Sequence, residues 1–225
     1  NGNYDTVILD GNNNYNILTI NTTSTVKLTG ITFANGRSLN GGSAVYDINS
    51  NLIIDHCNFI NNTATANYAY GGAIYAYNGT LKVTNSNFYN NKASYGAGIS
   101  ARYLTLNVTT SRFINNTVTI SGGAIYAFGS LLNIYNSYFL TNQALYGTVA
   151  SFTGNATITK TIFVNNNATY GGAFYTGSKN VTGIFNNITY CAFINNTASE
   201  GNSIFTDYDN TVYENMTVTG VADYC

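Results

Sequence analysis

The sequence repeats itself about every 26 residues, and this period constrains the fold more than any other feature. One recurring element is Phe-x-x-Asn, which occurs at Phe59–Asn62, Phe88–Asn91, Phe113–Asn116, Phe139–Asn142, Phe163–Asn166 and Phe193–Asn196. A second is Gly-Gly-Ala-Ile-Tyr, at 71–75 and 122–126, with Phe174 for Ile in the copy at 171–175. Self-similarity at such a fixed period marks a stack of like units, so the chain is predicted to be a solenoid.

Within each repeat the apolar residues alternate, which predicts short strands with one buried face. Apolar residues stand five positions before each Phe and, with Asn186 as the exception, seven positions before it. A glycine column that includes Gly71 and Gly122 precedes a further apolar column by three residues. Three strands in each coil of 24–30 residues predict an all-β fold, a parallel β-helix of about seven to eight coils, as one domain over 1–225. The sequence stops at Cys225 without a polar cap, so we expect a fragment of a longer surface protein.

In a parallel β-helix, equivalent residues of successive coils lie ~4.8 Å apart. The Phe column is therefore predicted to form a buried aromatic stack. The Asn-Asn pairs that follow Phe are predicted to form turns, where Asn tolerates a left-handed backbone and its amide bonds to the next Asn. The glycine column is predicted to mark a bend.

The alternation of Gly-Gly-Ala-Ile with Phe-x-x-Asn resembles the repeats of chlamydial polymorphic outer-membrane proteins. The stretches Phe-Ile-Asn-Asn-Thr-Ala and Asn-Gly-Thr-Leu-Lys-Val, with the opening segment 6–12, are similar to adhesin-like surface proteins of methanogenic archaea. The resemblance covers roughly residues 6–221. It implies a right-handed parallel β-helix displayed outside the cell, and no catalytic motif comes with it.

The charged residues argue against several classes of function. They make up 8% of the chain with a net charge of −1, so there is no electrostatic footprint for nucleic acid. No run of apolar residues approaches the length of a membrane span, so no direct membrane insertion is expected. No Asp or Glu lies between Asp55 and Glu200, so the central coils cannot supply the carboxylate pair of a polysaccharide hydrolase or lyase. Asp47, Asp55 and His56 are the only catalytic candidates near the start, and we interpret them as surface polar residues. The chain is predicted to be no enzyme and to need no cofactor.

The remaining metal and thiol candidates are weak. The C-terminal acids Glu200, Asp207, Asp209 and Glu214 offer oxygen ligands for calcium, but a solvated loop is the favoured interpretation, and no metal site is predicted. Cys57 and Cys191 occupy one small buried column five coils apart, too far for a disulfide, and are interpreted as buried thiols in place of Ser.

Tyrosine provides the candidate binding residues. Directly after the apolar column come Tyr46, Tyr75, Ser100, Tyr126, Ser151, Tyr175 and Phe205, which alternation turns outward. Further tyrosines precede the glycines. The predicted ligand-binding stripe consists of Tyr70, Tyr75, Tyr95, Tyr126, Tyr146, Tyr170 and Tyr175. Tyr suits glycan and protein recognition, and the alternative is cross-coil stacking that only stabilises the sheet.

Eleven Asn-x-Ser/Thr sequons are candidates for N-glycosylation, little more than the composition gives by chance. They lie at Asn21, Asn61, Asn78, Asn107, Asn115, Asn155, Asn167, Asn180, Asn187, Asn195 and Asn215.

Three functional hypotheses remain. The first is a non-enzymatic, extracellular cell-surface adhesin domain that binds glycans or surface proteins of other cells. The second is a structural stalk, wall or filament component that self-associates end to end through open strand edges. A polysaccharide-degrading enzyme is the least favoured, because the central coils lack acids.

Overall fold

The computed structural model is an all-β parallel solenoid of about seven turns, as the repeat predicts. The structure describes residues 7–177, 184–207, 210–214 and 217–219, and the side chains of residues 7–177 and 184–206. Within these ranges there is no helix, and 29 strands form four parallel sheets.

Each turn of the chain passes through the sheets in the same order, and the strands are numbered along the chain. Sheet A contains β1 (Val7–Asp10), β4 (Ile31–Ala34), β8 (Asn58–Ile60), β12 (Asn87–Tyr89), β16 (Arg112–Ile114), β20 (Tyr138–Leu140), β23 (Ile162–Val164), β26 (Ala192–Ile194) and β29 (Thr217–Thr219). Sheet B contains β2 (Leu18–Asn21), β6 (Val45–Ile48), β10 (Ile74–Tyr77), β14 (Ile99–Arg102), β18 (Ile125–Phe128), β21 (Val149–Phe152), β24 (Phe174–Gly177) and β27 (Ile204–Asp207). Sheet C contains β3 (Thr25–Thr29), β7 (Asn51–Asp55), β11 (Thr80–Thr84), β15 (Thr105–Thr109), β19 (Leu131–Tyr135), β22 (Ala156–Thr159), β25 (Phe185–Thr189) and β28 (Asn210–Glu214). Sheet D contains β5 (Arg37–Ser38), β9 (Thr63–Ala64), β13 (Lys92–Tyr95) and β17 (Thr117–Ser121).

The Phe column forms the predicted aromatic stack inside the solenoid. Phe88 pairs with Phe113 and Phe113 with Phe139 in sheet A, and their ring centroids lie 4.5 and 4.9 Å apart with nearly parallel planes. The rings are fully buried, and the inward Ile, Leu and Val residues of sheets B and C complete the core around them. The strand alternation read from the sequence is thereby confirmed.

Two asparagines follow the Phe in most coils, with Thr141 in the first position after Phe139, and they have different roles. The first, as at Asn61 and Asn115, has a left-handed backbone (φ 58° and 55°) and an exposed side chain. The second, as at Asn62 and Asn116, is fully buried and bonds to the equivalent Asn of the next coil. The predicted turn and amide ladder are both present, on adjacent residues.

Sheet D adds a short fourth strand to several coils, which the periodicity did not predict. In three coils it begins directly after the buried Asn, and along the chain it lies between the strands of sheets A and B. The glycine column then bends the chain into sheet B. Gly122 has φ 68°, and a Cβ atom there would lie 2.3 Å from the Ile125 carbonyl oxygen.

The coil after Gly147 is one residue shorter than the sequence alignment assumed. Ile125 pairs with Val149, and Tyr126 pairs with Ala150. The expected position of Ser151 in the tyrosine column is therefore wrong: Ala150 holds that position and Ser151 pairs with Ala127, because the deletion falls in the turn and leaves the strand pairing intact.

Candidate functional site

The predicted tyrosines come together, in two columns on either side of the glycine bend. One column follows the inward Ile of sheet B, and the other precedes the glycine at the end of sheet D. Rings of the second column stack on each other, with Tyr70 4.8 Å from Tyr95 and Tyr146 5.2 Å from Tyr170. The two columns also meet, since the rings of Tyr95 and Tyr126 are 5.0 Å apart.

The tyrosines turn away from the main core as predicted, but two of them are not exposed. Tyr126 and Tyr175 are only 7% and 6% exposed, so their prediction as surface residues is wrong. Their neighbours in the column are small, such as Ser100 and Ala150, and the rings of the other column pack into that space. Tyr70, Tyr75, Tyr95, Tyr146 and Tyr170 remain half-buried at the surface of this cluster.

Arg102 inserts its guanidinium among these rings. Its Cζ lies 4.7 Å from the Tyr70 ring centroid and 5.4 Å from that of Phe128. Burial raises the pKa of Tyr126 and of Tyr75, and Arg102 offsets part of the rise at Tyr75. Tyr75 and Tyr126 are therefore neutral at physiological pH, and the cluster presents hydroxyl groups and ring edges.

A polar groove of about 640 Å³ runs along the corner between sheets A and D. One wall is the left-handed asparagine column, in which the Asn115 amide donates to Asn90 Oδ1 at 2.8 Å. The other wall is formed by Thr63, Lys92 and Thr117. Sequence reasoning missed this groove as a site, although the Asn-Asn-Thr pattern after Phe places side chains outward at both of its walls.

The sequons fall on the accessible asparagines. Asn78 and Asn107 are half-buried, and the exposed ones are Asn21, Asn61, Asn115, Asn155, Asn167, Asn187 and Asn195. Asn180 and Asn215 lie outside the described residues. None of the fully buried asparagines of the ladder, such as Asn116, begins a sequon. Every described sequon thus has an asparagine that solvent reaches.

The acidic candidates do not converge. Asp47 is buried on the inward face of sheet B, where burial raises its pKa and the nearby Ser50 hydroxyl offsets part of that rise. Burial alone would raise the pKa of Asp55, at the end of β7, but hydrogen bonds from Thr84, His56 and Asn85 lower it below its usual range. His56 Nδ1 lies 3.0 Å from Asp55 Oδ1 on the exterior.

The metal and thiol candidates show no clustering. The described residues contain no group of three or more His, Cys, Asp or Glu that could hold a metal ion. The side chains of Asp207, Asp209 and Glu214 lie outside the described part of the chain, as does Cys225. Cys57 and Cys191 are buried and unpaired, and burial raises the pKa of the Cys191 thiol to about 11. Both sulfurs donate to the carbonyl two residues earlier, as Ser86 and Ser111 do, which confirms the substitution for Ser.

The comparisons bear on the repeats rather than on a ligand. Residues 56–77 and 110–127 match the model of the Chlamydia polymorphic membrane protein repeat. Neither a curated protein nor a solved structure matches the chain. Within the described residues, no helix has the length and apolar character to cross a membrane. Both matched segments begin just before a sheet A strand, pass through the glycine bend and end in the next sheet B strand, and with the solenoid they fit β-helix repeats of the polymorphic-membrane-protein type.

Proposed function

We propose that the chain is a non-enzymatic adhesin domain of a cell-surface protein, which presents its Tyr/Asn-rich face to glycans on other cells. The repeat match supports a location at the outer surface. The Asn/Thr/Tyr-rich sequence supports kinship with the adhesin-like proteins of methanogenic archaea, and the accessible sequons support its being a glycoprotein.

One observation carries the proposal: sheet D joins the polar groove to the tyrosine cluster. In β13, Lys92 lines the groove, while Tyr95 stacks on Tyr70 in the cluster. A single face therefore offers amides and hydroxyls along one edge and aromatic rings along the other.

This combination suits a neutral glycan. Amide and hydroxyl groups exchange hydrogen bonds with sugar hydroxyls, and tyrosine rings provide apolar contact at little cost in side-chain entropy. The polar side chains of the groove and the tyrosine rings both recur at the coil spacing along the solenoid, so an extended chain of sugars meets the same contacts repeatedly. In this proposal the half-buried tyrosines touch the ligand, and the buried Tyr126 and Tyr175 support them from below.

The test removes groove hydroxyls without changing shape. The double variant Thr63→Val/Thr117→Val, screened on a glycan array and on whole cells, is expected to bind more weakly than the native domain. These substitutions also remove the Asn61 and Asn115 sequons, and Thr157→Val in the control below removes that of Asn155, so all proteins are produced in a host that adds no N-glycans. Thr105→Val/Thr157→Val makes the same change on the outer face of sheet C and should bind normally. Equal binding by all three proteins would refute the assignment of the groove.

Tyr95→Ser tests the aromatic edge in the same screen. The lost ring contacts with Tyr70 and Tyr126 should lower the melting temperature, and the proposal expects weaker glycan binding by the folded variant as well. Lower melting with unchanged binding would make the cluster purely structural. Size measured against concentration addresses the alternative of a stalk component, because a rod that stacks end to end lengthens as concentration rises.

A further inference from the structure

The cations of this chain are concentrated where it has no acids. The stretch 56–199 contains no Asp or Glu and six basic residues, Lys82, Lys92, Arg102, Arg112, Lys160 and Lys179. The chain's near-zero net charge therefore conceals a basic middle flanked by acidic segments.

Two of these cations border a second groove, on the outer face of sheet A. The groove has a volume of about 530 Å³ and crosses β16, β20 and β23. Its floor is apolar and consists of Ile114, Tyr138, Leu140 and Ile162, and Ile162 is 39% exposed. Arg112 and Lys160 are exposed at its border.

Lys160 is held in place at the border of this groove, and neither Lys160 nor Arg112 has a carboxylate partner among the described side chains. Lys160 sits at a left-handed corner with φ 52°, donates from Nζ to Tyr135 Oη at 3.1 Å, and lies 5.4 Å from the centre of that ring. Among the side chains that the structure describes, the single ion pair is His56–Asp55. The positive charge at the groove is therefore not neutralised by the described part of the protein.

One side of the groove is local, unlike the repeated scaffold. Ile114 and Leu140 belong to a column that is apolar or aromatic in every coil from Ile60 to Ile194, but the neighbouring outward column changes. The outward column of sheet A holds Asn58 and Asn87 in earlier coils, then Arg112, Tyr138 and Ile162 in the coils that form the groove. Apolar and cationic side chains replace amides over three successive turns. Coil stacking does not require this change, because the inward Phe column is the same throughout.

We propose that this groove binds an acidic polypeptide segment that also carries apolar side chains. Arg112 and Lys160 pair with its carboxylates, and its apolar side chains pack on Ile114, Leu140 and Ile162. Thr110, Ser111, Asn136 and Ser137 also line the groove, and the one amide among them, Asn136, already donates to Thr110 Oγ1. A polypeptide is favoured over an acidic polysaccharide because the floor between the two cations offers aliphatic surface for apolar side chains. The groove lies on a different face from the proposed glycan site, so the proposal stands or falls independently of it.

The probe is a short fluorescein-labelled peptide of alternating Glu and Leu, with binding followed by fluorescence anisotropy. Reference peptides of alternating Lys and Leu, and of alternating Glu and Ser, test the charge and the apolar contribution. We expect the Glu/Leu peptide to bind and both reference peptides to bind at least about tenfold more weakly. Equal binding of the Glu/Ser peptide would overturn the role of the apolar floor.

Two charge-reversed variants locate the site. Arg112→Glu/Lys160→Glu turns two attractions into repulsions and is expected to weaken binding of the Glu/Leu peptide by about tenfold. Lys27→Glu/Lys82→Glu makes the same change in net charge on the exposed face of sheet C and should change binding by less than about twofold.

Three outcomes refute the proposal. If both variants lose the same affinity, the attraction is only the field of the whole rod. If the Glu/Leu peptide does not bind the native protein, the groove has no such occupant. If heparin binds instead and loses affinity in Arg112→Glu/Lys160→Glu, the groove is assigned to an acidic polysaccharide.

Discussion

The buried amide of Asn116 is the sharpest test of how the coils are held together. Its Nδ2 donates to Asn142 Oδ1 at 3.0 Å and to the Phe88 carbonyl at 3.0 Å. Its Oδ1 accepts from the backbone N and from Nδ2 of Asn91, at 3.1 and 2.9 Å. Asn116→Ala removes four hydrogen bonds at about 1 kcal/mol each, so we expect the free energy of unfolding to fall by about 4 kcal/mol.

A second substitution at this position tests the direction of the hydrogen bonds. Asn116→Asp keeps the shape, but a carboxylate would face the Phe88 carbonyl and Asn142 Oδ1, which are both acceptors. We expect a larger loss than for Ala at neutral pH, because an ionised carboxylate would be buried against oxygens. The folded-state pKa is then raised, so stability should recover as pH falls toward about 3.9, the ordinary Asp value.

Urea unfolding followed by circular dichroism measures both effects, and variants with the native m-value are comparable. Asn133→Ala is the matched control. Its amide also bonds to an asparagine of the neighbouring coil, Asn107, at 2.9 Å, but it is half-buried on the outer face of sheet C. A loss below about 1 kcal/mol is expected there. An equally small loss for Asn116→Ala, or Asn116→Asp as stable as native at neutral pH, would refute the ladder as a source of stability.

Three further changes have expected outcomes. Asp47→Ala introduces the residue of the next coil, Ala76, and should raise the melting temperature. Because burial raises the pKa of Asp47, the native protein should lose stability as pH rises from about 3.9 toward that raised pKa. The variant lacks the carboxyl group and should not show this loss; an unchanged pH profile would contradict the prediction. Gly122→Ala should destabilise by more than about 1 kcal/mol in urea unfolding, because of its positive φ and the clash with the Ile125 carbonyl. Cys191→Ser should change stability by less than about 1 kcal/mol, because Ser111 makes the same bond, and a larger loss would assign Cys191 a packing role.

Much of the fold could be predicted from the sequence because the solenoid converts a linear period into contacts. Residues one period apart, such as Phe88 and Phe113, become neighbours in a ladder, so a recurring spacing predicts the register directly. The prediction was wrong after Gly147, where the turn is one residue shorter. Counting three residues from the glycine gives Ala150 as the partner of Ile125, but the strand hydrogen bonds pair Ile125 with Val149.

The candidate site was less predictable because alternation shows only which side of a strand a residue faces. It correctly turned Tyr126 away from the main core, but it could not show that sheet D brings Tyr95 within 5.0 Å and covers it. The grooves were missed for a related reason. They arise where residues of successive coils line up beside a corner, such as Asn61, Asn90 and Asn115, and their shape depends on the angle of the corner.

In the two proposals, alternate residues of the same strand serve stability and recognition separately. In sheet A the inward position is Phe in successive coils, while the outward position beside it changes from Asn87 to Arg112, Tyr138 and Ile162. Outward changes leave the hydrogen-bonded ladders and the ring stack intact, because neither uses those side chains. Two grooves of opposite character, one lined by amides and the other by apolar and cationic groups, can therefore coexist on neighbouring faces of one rod. It follows that substitutions in either groove should alter binding at that groove alone and leave unfolding unchanged.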